Sequence, residues 1–524
     1  MANKFMDGLR NENNFTYTEN GAITHRSTLS GLMDLFALGA AYRTRTDEDC
    51  ILLFKNAYEE DPVHALKCLF YIGDVRGGQG ERRFFRVVYN WLIDYDKAAA
   101  KRNLQYIPEY KRWDDLIYIC YNTPLWTDCV NIVKEQLMTD VHSYEKGSNE
   151  GISLLAKWMP SINTSSQKTK EVGNALRDAL GFSFKQYRKT LSLLRERINV
   201  LERLMSAGRW EDIEFDKIPS KAGFKYRNAF ARHDIERMKA NKEVVSYENF
   251  MADKETKVNA KDLYPYEIVD QAINLTRSSY GWWGYESNPN VDPVQRNAIN
   301  KYWENFMESL DDFLGLDCLC ICDTSGSMLN GGIKGGTPMD VAISLSLCAA
   351  EKARGPFAHH YISFSSRPQL IKVEGVDFVD TVKRIYQTNL CENTDIEATF
   401  DMLLYTALKQ HCKQSDLPEA LVIISDQEFD AARGHYSYYR STDHETATLM
   451  EHIEAKWNAH GYKMPKLYFW NVNAKQENIP MTLKDGVTFV SGLSPVLFKQ
   501  IASGKTAEDF VFDILDSERY AAIH

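Results

Sequence analysis

The feature that most constrains this chain is a change of hydrophobic period near residue 310. Before it, from about residue 30, apolar side chains recur at the helical period of roughly 3.6 residues. Examples are Leu32–Leu38, Ala65–Tyr71, Phe84–Leu92, Tyr187–Leu204 and Ile268–Leu275, separated by short loops and with little period-two alternation. After it, short apolar runs alternate with helical stretches. Cys318–Cys322, His360–Phe364, Ala420–Ile424 and Lys466–Val472 read as strands; Met339–Ala353 and Ile396–His411 read as helices. A continuously apolar strand followed by a helix implies a parallel sheet covered on both faces. A chain of 524 residues is also too long for one core. Two domains are expected: an α-helical one over 1–310, stacked as antiparallel helix pairs in HEAT-like solenoid fashion or as an irregular helical bundle, and a doubly wound, Rossmann-like α/β domain over 311–524.

Composition excludes several classes. With 44% hydrophobic and 26% charged residues the chain is globular rather than disordered. It shows no basic-then-apolar leader and no uncharged apolar window of about 18 residues, so a soluble, cytoplasmic protein without a membrane span is expected, as a monomer. The ten cysteines include no Cys-x-x-Cys pair, and Cys318, Cys320 and Cys322 are expected as small core side chains. Net charge is −10, but residues 157–242 hold nineteen Lys and Arg against ten Asp and Glu, a local +9 set against −19 elsewhere. That basic stretch is the clearer clue to a partner.

Chemistry is expected beyond the carboxyl ends of the parallel strands. There the first strand ends in Asp323-Thr324-Ser325-Gly326-Ser327, an Asp-x-Ser-x-Ser turn offering a carboxylate and two hydroxyls. Hard divalent cations such as Mg²⁺ prefer such oxygen donors. A second loop, Glu392-Asn393-Thr394-Asp395, adds a hydroxyl, and a third, Ser425-Asp426-Gln427-Glu428, adds a carboxylate. Together the three loops resemble the metal-ion-dependent adhesion site of von Willebrand factor A domains. The resemblance implies Mg²⁺ or another divalent cation held by Asp323, Ser325, Ser327 and Thr394, with Asp426 acting through water. One position would stay open for a protein partner's carboxylate. A metal-free domain of the same fold is the alternative.

The helical half carries Thr18-Glu19-Asn20-Gly21-Ala22, Asp34-Leu35-Phe36, Gly73-Asp74-Val75-Arg76-Gly77-Gly78-Gln79-Gly80-Glu81-Arg82 and Arg112-Trp113-Asp114-Asp115-Leu116. Further on come Lys157-Trp158-Met159-Pro160-Ser161, Tyr187-Arg188-Lys189-Thr190-Leu191 and Arg209-Trp210-Glu211-Asp212-Ile213. Followed by the metal loops, these motifs resemble the Ro autoantigen family, which joins a TROVE ring of helical repeats to a von Willebrand factor A domain. The match is closest to a domain-of-unknown-function branch found in cellular and viral genomes. It covers nearly the whole chain, with gaps near 240–300 and 430–445. The resemblance implies a ribonucleoprotein role: binding small structured or misfolded RNAs and their single-stranded ends.

The residues give that reading two candidate contact regions. The Gly77–Gly80 turn opens a helix, so its amides either cradle a phosphate beside Arg76, Arg82 and Arg83, or close a tight turn with Arg82 paired to acids such as Asp74. Lys168, Lys170, Arg177, Lys185, Arg188 and Lys189 outnumber nearby acids. Lys185, Arg188, Lys189 and Arg195 share a helix face, with Phe184 and Tyr187 interleaved for stacking on bases. The alternative is a solvated or protein-binding face. The aromatic, glycine-broken stretch Ser278–Tyr285 reads as a linker packed against the helices, with a contact surface the alternative, and the insertion with His435, Tyr436, Tyr438, Tyr439 and Arg440, just after the third metal loop, is a candidate specificity element. No nucleophile elbow or zinc-protease motif is present, so no enzyme activity is expected. The expected function is an RNA-binding scaffold with a metal-dependent docking domain; the alternative is a protein-interaction or assembly module without RNA.

Overall fold

Helix starts in this chain are written into side chains. In the computed structural model, which describes residues 13–147, 151–281, 284–310, 317–364, 367–388, 393–430, 448–481, 483–484, 486–501 and 506–524, Thr46 and Asp49 form a capping box for Asp47–Glu60. Asp61 caps Pro62–Gly73, with Pro62 at the first position where its missing N–H costs nothing. Ser183 and Gln186 box the start of Phe184–Arg197. Each such cap satisfies amides that a helix end leaves unbonded and contributes about 1 kcal/mol. The sequence period near 187–204 is broken in the structure, where Phe184–Arg197 ends and Leu201–Ser206 begins after a left-handed Asn199.

The helical half also contains two antiparallel hairpins that the sequence did not announce. One is β1 (Phe15–Tyr17) with β2 (Ile23–His25), and the other β3 (Arg277–Gly281) with β4 (Gly284–Ser287). Trp282 and Trp283 lie outside the described residues, as do Glu392 and the 435–440 insertion.

From residue 318 four strands fall where expected, β5 (Cys318–Asp323), β6 (His360–Phe364), β8 (Ala420–Ser425) and β9 (Lys466–Asn471), and two more, β7 (Gln369–Lys372) and β10 (Val487–Ser491), each follow a strand with no helix between. They form one six-stranded sheet in the order β10-β9-β8-β5-β6-β7, parallel except for β7 at the edge. β5 and β8 are buried along their whole length, because helices such as Pro338–Lys352 cover the sheet. Cys318, Cys320 and Cys322 are buried core thiols, pushed up in pKa by that burial.

The two halves share surfaces. Helix Gly31–Leu38 lies against the β10 side of the sheet, where Ser491 Oγ donates to the Phe36 carbonyl at 3.0 Å and Phe36 meets Phe510 edge-on at 6.0 Å. The carboxyl-terminal residues return to the helices: Arg519 grips the fully buried Asp74, and the Tyr110 hydroxyl donates to the Arg519 carbonyl. One apolar core therefore runs through both halves. No helix among the described residues is long and apolar enough to cross a membrane.

Candidate functional site

The strand order reverses between β5 and β8, since β6 and β7 extend to one side of β5 and β8, β9 and β10 to the other. Such a switch point opens a crevice beyond the carboxyl ends of the strands. Cys322 faces Ile424 across this pair, which sets Asp323 and Ser425 at the same level.

Both carboxylates of the sequence motif sit there, Asp323 fully buried and Asp426 nearly so. Asp323 Oδ1 accepts the Ser325 amide at 2.9 Å, and Oδ2 accepts the Ser425 hydroxyl at 2.5 Å. The hydroxyls of Ser325 and Ser327 meet at 3.0 Å. Burial, then the charge of neighbouring Asp426, push the Asp323 carboxyl up from its ordinary value. Asp426 Oδ2 is buried without an aligned hydrogen bond. Thr394 is tied to the third loop through its carbonyl, which accepts the Asp430 amide at 2.9 Å, and its hydroxyl accepts from Asn20 at 3.3 Å. Gln427 holds a left-handed φ of +64° with its side chain buried, a backbone that costs a non-glycine residue free energy. Among the described residues no group of three or more His, Cys, Asp or Glu side chains is placed to hold a metal. The donors the sequence named are instead two carboxylates and three hydroxyls, all oxygen, with Asp426 Oδ2 left without an aligned hydrogen bond though a lysine ammonium lies near it, and this chemistry fits a hard divalent cation.

Two neighbours of these loops were not legible in the sequence. The turn between β1 and β2 sits on them: Thr18 Oγ donates to the Phe429 carbonyl at 2.6 Å, the Glu19 amide to Glu428 Oε2 at 2.6 Å, and Asn20 Nδ2 to the Glu428 carbonyl at 2.6 Å. Glu428 is fully buried, and burial pushes its carboxyl up to about 7. The second neighbour is Lys475, from the loop after β9, whose Nζ lies 3.1 Å from Asp426 Oδ2.

In the helical half a cavity of about 2240 Å³ gathers cations from distant segments. Among the described residues twelve Lys and Arg line it, against two acids, Glu202 and Asp262. Lys185, Arg188 and Lys189 are there, all exposed, and no ion pair engages them among the described residues. Beside them stand aromatic platforms already carrying cations: Arg112 lies 3.8 Å over Trp158, Lys221 4.2 Å over Tyr264, and Lys225 4.6 Å over Tyr226.

Other sequence candidates lie elsewhere or are engaged. Arg76 and Arg82 line the cavity, but Arg82 is locked on Asp114 and the fully buried Asp115, rather than on Asp74. Arg83 pairs with Asp47 and with backbone carbonyls away from the cavity. Arg177 is buried, pairs with Asp178 and stacks 3.7 Å over Phe184. Lys168 and Lys170 lie on the preceding helix, off the lining. Arg195 spends its guanidinium on the Ala156 and Met159 carbonyls, and Tyr187 is core, donating to the Pro160 carbonyl at 2.8 Å. The glycine turn is closed rather than open to phosphate: the Gln79 and Gly80 amides donate to the Tyr71 and Asp74 carbonyls, and Glu81 caps the helix that follows. A carboxylate already holds that helix end.

The geometry defines a class: a cation-lined helical array joined to a doubly wound sheet with an oxygen-rich loop site at its switch point. The model of the family described as domain of unknown function DUF2828 matches residues 18–134 and 164–313, just over half of the chain. The chain belongs to that family. A second model, domain of unknown function DUF7788, matches residues 317–518. Among curated proteins the chain is similar to the uncharacterized protein L728 of Acanthamoeba polyphaga mimivirus, at 28% identity over 95% of this chain and 86% of the relative. Among solved structures it is similar to the Ro (RSR) protein of Deinococcus radiodurans, at 14% identity and a TM-score of 0.40, covering 91% of this chain and 100% of the other.

Proposed function

We propose that this protein is an RNA-binding scaffold of Ro-like organisation, with a helical-repeat ring of TROVE type and a von Willebrand factor A-type domain that docks a protein partner through a metal. The observation that carries the reading is the cavity, lined by twelve Lys and Arg and two acids among the described residues, with Lys185, Arg188 and Lys189 exposed there outside any ion pair, in a chain of net charge −10. Counterion release at phosphates supplies sequence-independent affinity, and aromatic platforms stack on any base, so small RNAs with single-stranded ends suit this lining. The sheet domain contributes Pro495 and Val496 to the same cavity, so both halves would touch the RNA.

At the switch point Asp323, Ser325, Ser327 and Thr394 would hold Mg²⁺, with Asp426 acting through water. When bound, the ion supplies a Lewis-acidic position for a partner's carboxylate. The chain's own residues would bind and orient, and the reading is a binding protein rather than an enzyme. The test is titration of the purified protein with a labelled small RNA carrying a single-stranded tail at two salt concentrations. Tight, salt-sensitive binding is expected. Absence of binding at low salt would leave a protein-interaction module without RNA.

A further inference from the structure

Asp323 and Asp426 are two buried carboxylates of like charge, and a cation beside such a pair relieves their repulsion. One is already there. The Lys475 ammonium stands 3.1 Å from Asp426 Oδ2, donates to the Ser327 carbonyl at 3.4 Å, and lies 3.8 Å from the Glu19 carboxylate. It thus bridges the first and third site loops and the β1–β2 turn. Its position is not left to a free side chain. Arg45 donates to the Lys475 carbonyl at 2.6 Å, the Ala474 amide donates to the Ala41 carbonyl at 3.2 Å, and Arg43 donates to the Val472 carbonyl at 3.2 Å. Residues 41–45 of the helical half therefore hold the loop that delivers the ammonium.

We propose that Lys475 is a tethered cation that competes with the divalent ion for the switch-point site, so that metal enters only as the ammonium leaves Asp426. The proposal rests on the metal reading above. A dication held by these loops and an ammonium at Asp426 would share one buried site, and the two like charges exclude each other. With the ammonium in place the Asp426 carboxylate has a counter-ion without metal, while Asp323 is held by the Ser325 amide and the Ser425 hydroxyl. With it gone, the carboxylate pair is left for the metal alone.

The test compares full-length wild type with Lys475→Met, which keeps the apolar stem and removes the charge, and with Lys475→Arg. Mn²⁺ affinity is read by electron paramagnetic resonance, and melting temperature is read in EDTA and in Mg²⁺. Lys475→Met is expected to bind Mn²⁺ at least tenfold more tightly than wild type. It should melt lower in EDTA and recover in Mg²⁺, whereas Lys475→Arg should bind no more tightly than wild type. A second measurement needs no variant: in wild type, acylation of Lys475 by an amine-reactive ester, read by mass spectrometry, should quicken severalfold when Mg²⁺ replaces EDTA. Equal Mn²⁺ affinity in wild type and Lys475→Met, or Lys475 acylation indifferent to a metal that binds, overturns the competition and leaves the metal reading standing. If no chain binds Mn²⁺, both fall, and Lys475 is a permanent counter-ion.

Discussion

Replacing Lys185, Arg188 and Lys189 together by alanine removes three exposed cations from one helix without touching a buried side chain or an ion pair. Alanine preserves helix propensity, so the fold should be unaffected. If each cation neutralises one phosphate of a single strand, each contributes about 0.7 to the slope of log affinity against log salt, and three contribute about 2. Raising salt fourfold, from about 50 to about 200 mM, then costs the wild type roughly fifteen-fold more affinity than the variant. Fluorescence anisotropy with a tailed small RNA across that range measures both slopes. The control is Lys168→Ala with Lys170→Ala, cations of the same basic stretch that lie off the cavity lining and should leave the slope unchanged. Equal slopes for wild type and triple variant would refute the placement of RNA on this helix. A control as damaging as the triple variant would mean that bulk charge, rather than the cavity, drives binding.

Three further outcomes are expected. A Cβ on Gly78 would press into the Tyr71 carbonyl and Asp74 Cβ, so Gly78→Ala should lower stability by about 1–3 kcal/mol, seen as a shifted urea midpoint. Arg519→Met leaves the fully buried Asp74 carboxylate with weaker partners, including the Tyr520 hydroxyl at 3.0 Å; a loss of about 1.5–3 kcal/mol is expected, and a loss below about 0.5 would show that Asp74 is satisfied without it. Burial raises the Glu351 carboxyl from 4.5 to about 7, although Trp303 Nε1 donates to both its oxygens at 3.2 Å. Between those values the folded chain holds a proton that the unfolded chain has released, so stability falls as pH rises towards 7 and the penalty persists above it. Glu351→Gln should therefore gain on wild type by roughly 1–3 kcal/mol between pH 5 and 8, and parallel melting curves across that range would contradict the burial.

Much of the fold was legible because it is local. The strand at His360–Phe364 falls where its apolar run predicted, and Ala420–Ser425 and Lys466–Asn471 differ from their runs by one residue. The misses have local reasons too. β7 is an exposed edge strand and β1 and β2 are three residues each, so none is long or apolar enough to leave a pattern. At the candidate site the Asp-x-Ser-x-Ser turn and Asp426 were visible as chemistry at strand ends. Lys475 and the 18–22 turn were not, because they reach the site from loops hundreds of residues apart or on another strand. The basic segment announced Lys185, Arg188 and Lys189, but its count could not tell them from Arg177 and Arg195, which the fold turns inward.

By itself, then, the sequence determined the change from helices to a largely parallel sheet with helices and the oxygen-rich turn at the first strand's end, since hydrophobic period records which face of each element must be buried. Only the tertiary structure decided which cations stay unpaired among the described residues, that Arg112 and Lys221, each paired with an acid, line the same cavity, and that an ammonium stands beside the buried carboxylates. Those are questions of charge pairing through space, and an ion's partner is fixed by the path of the whole chain rather than by its neighbours in sequence.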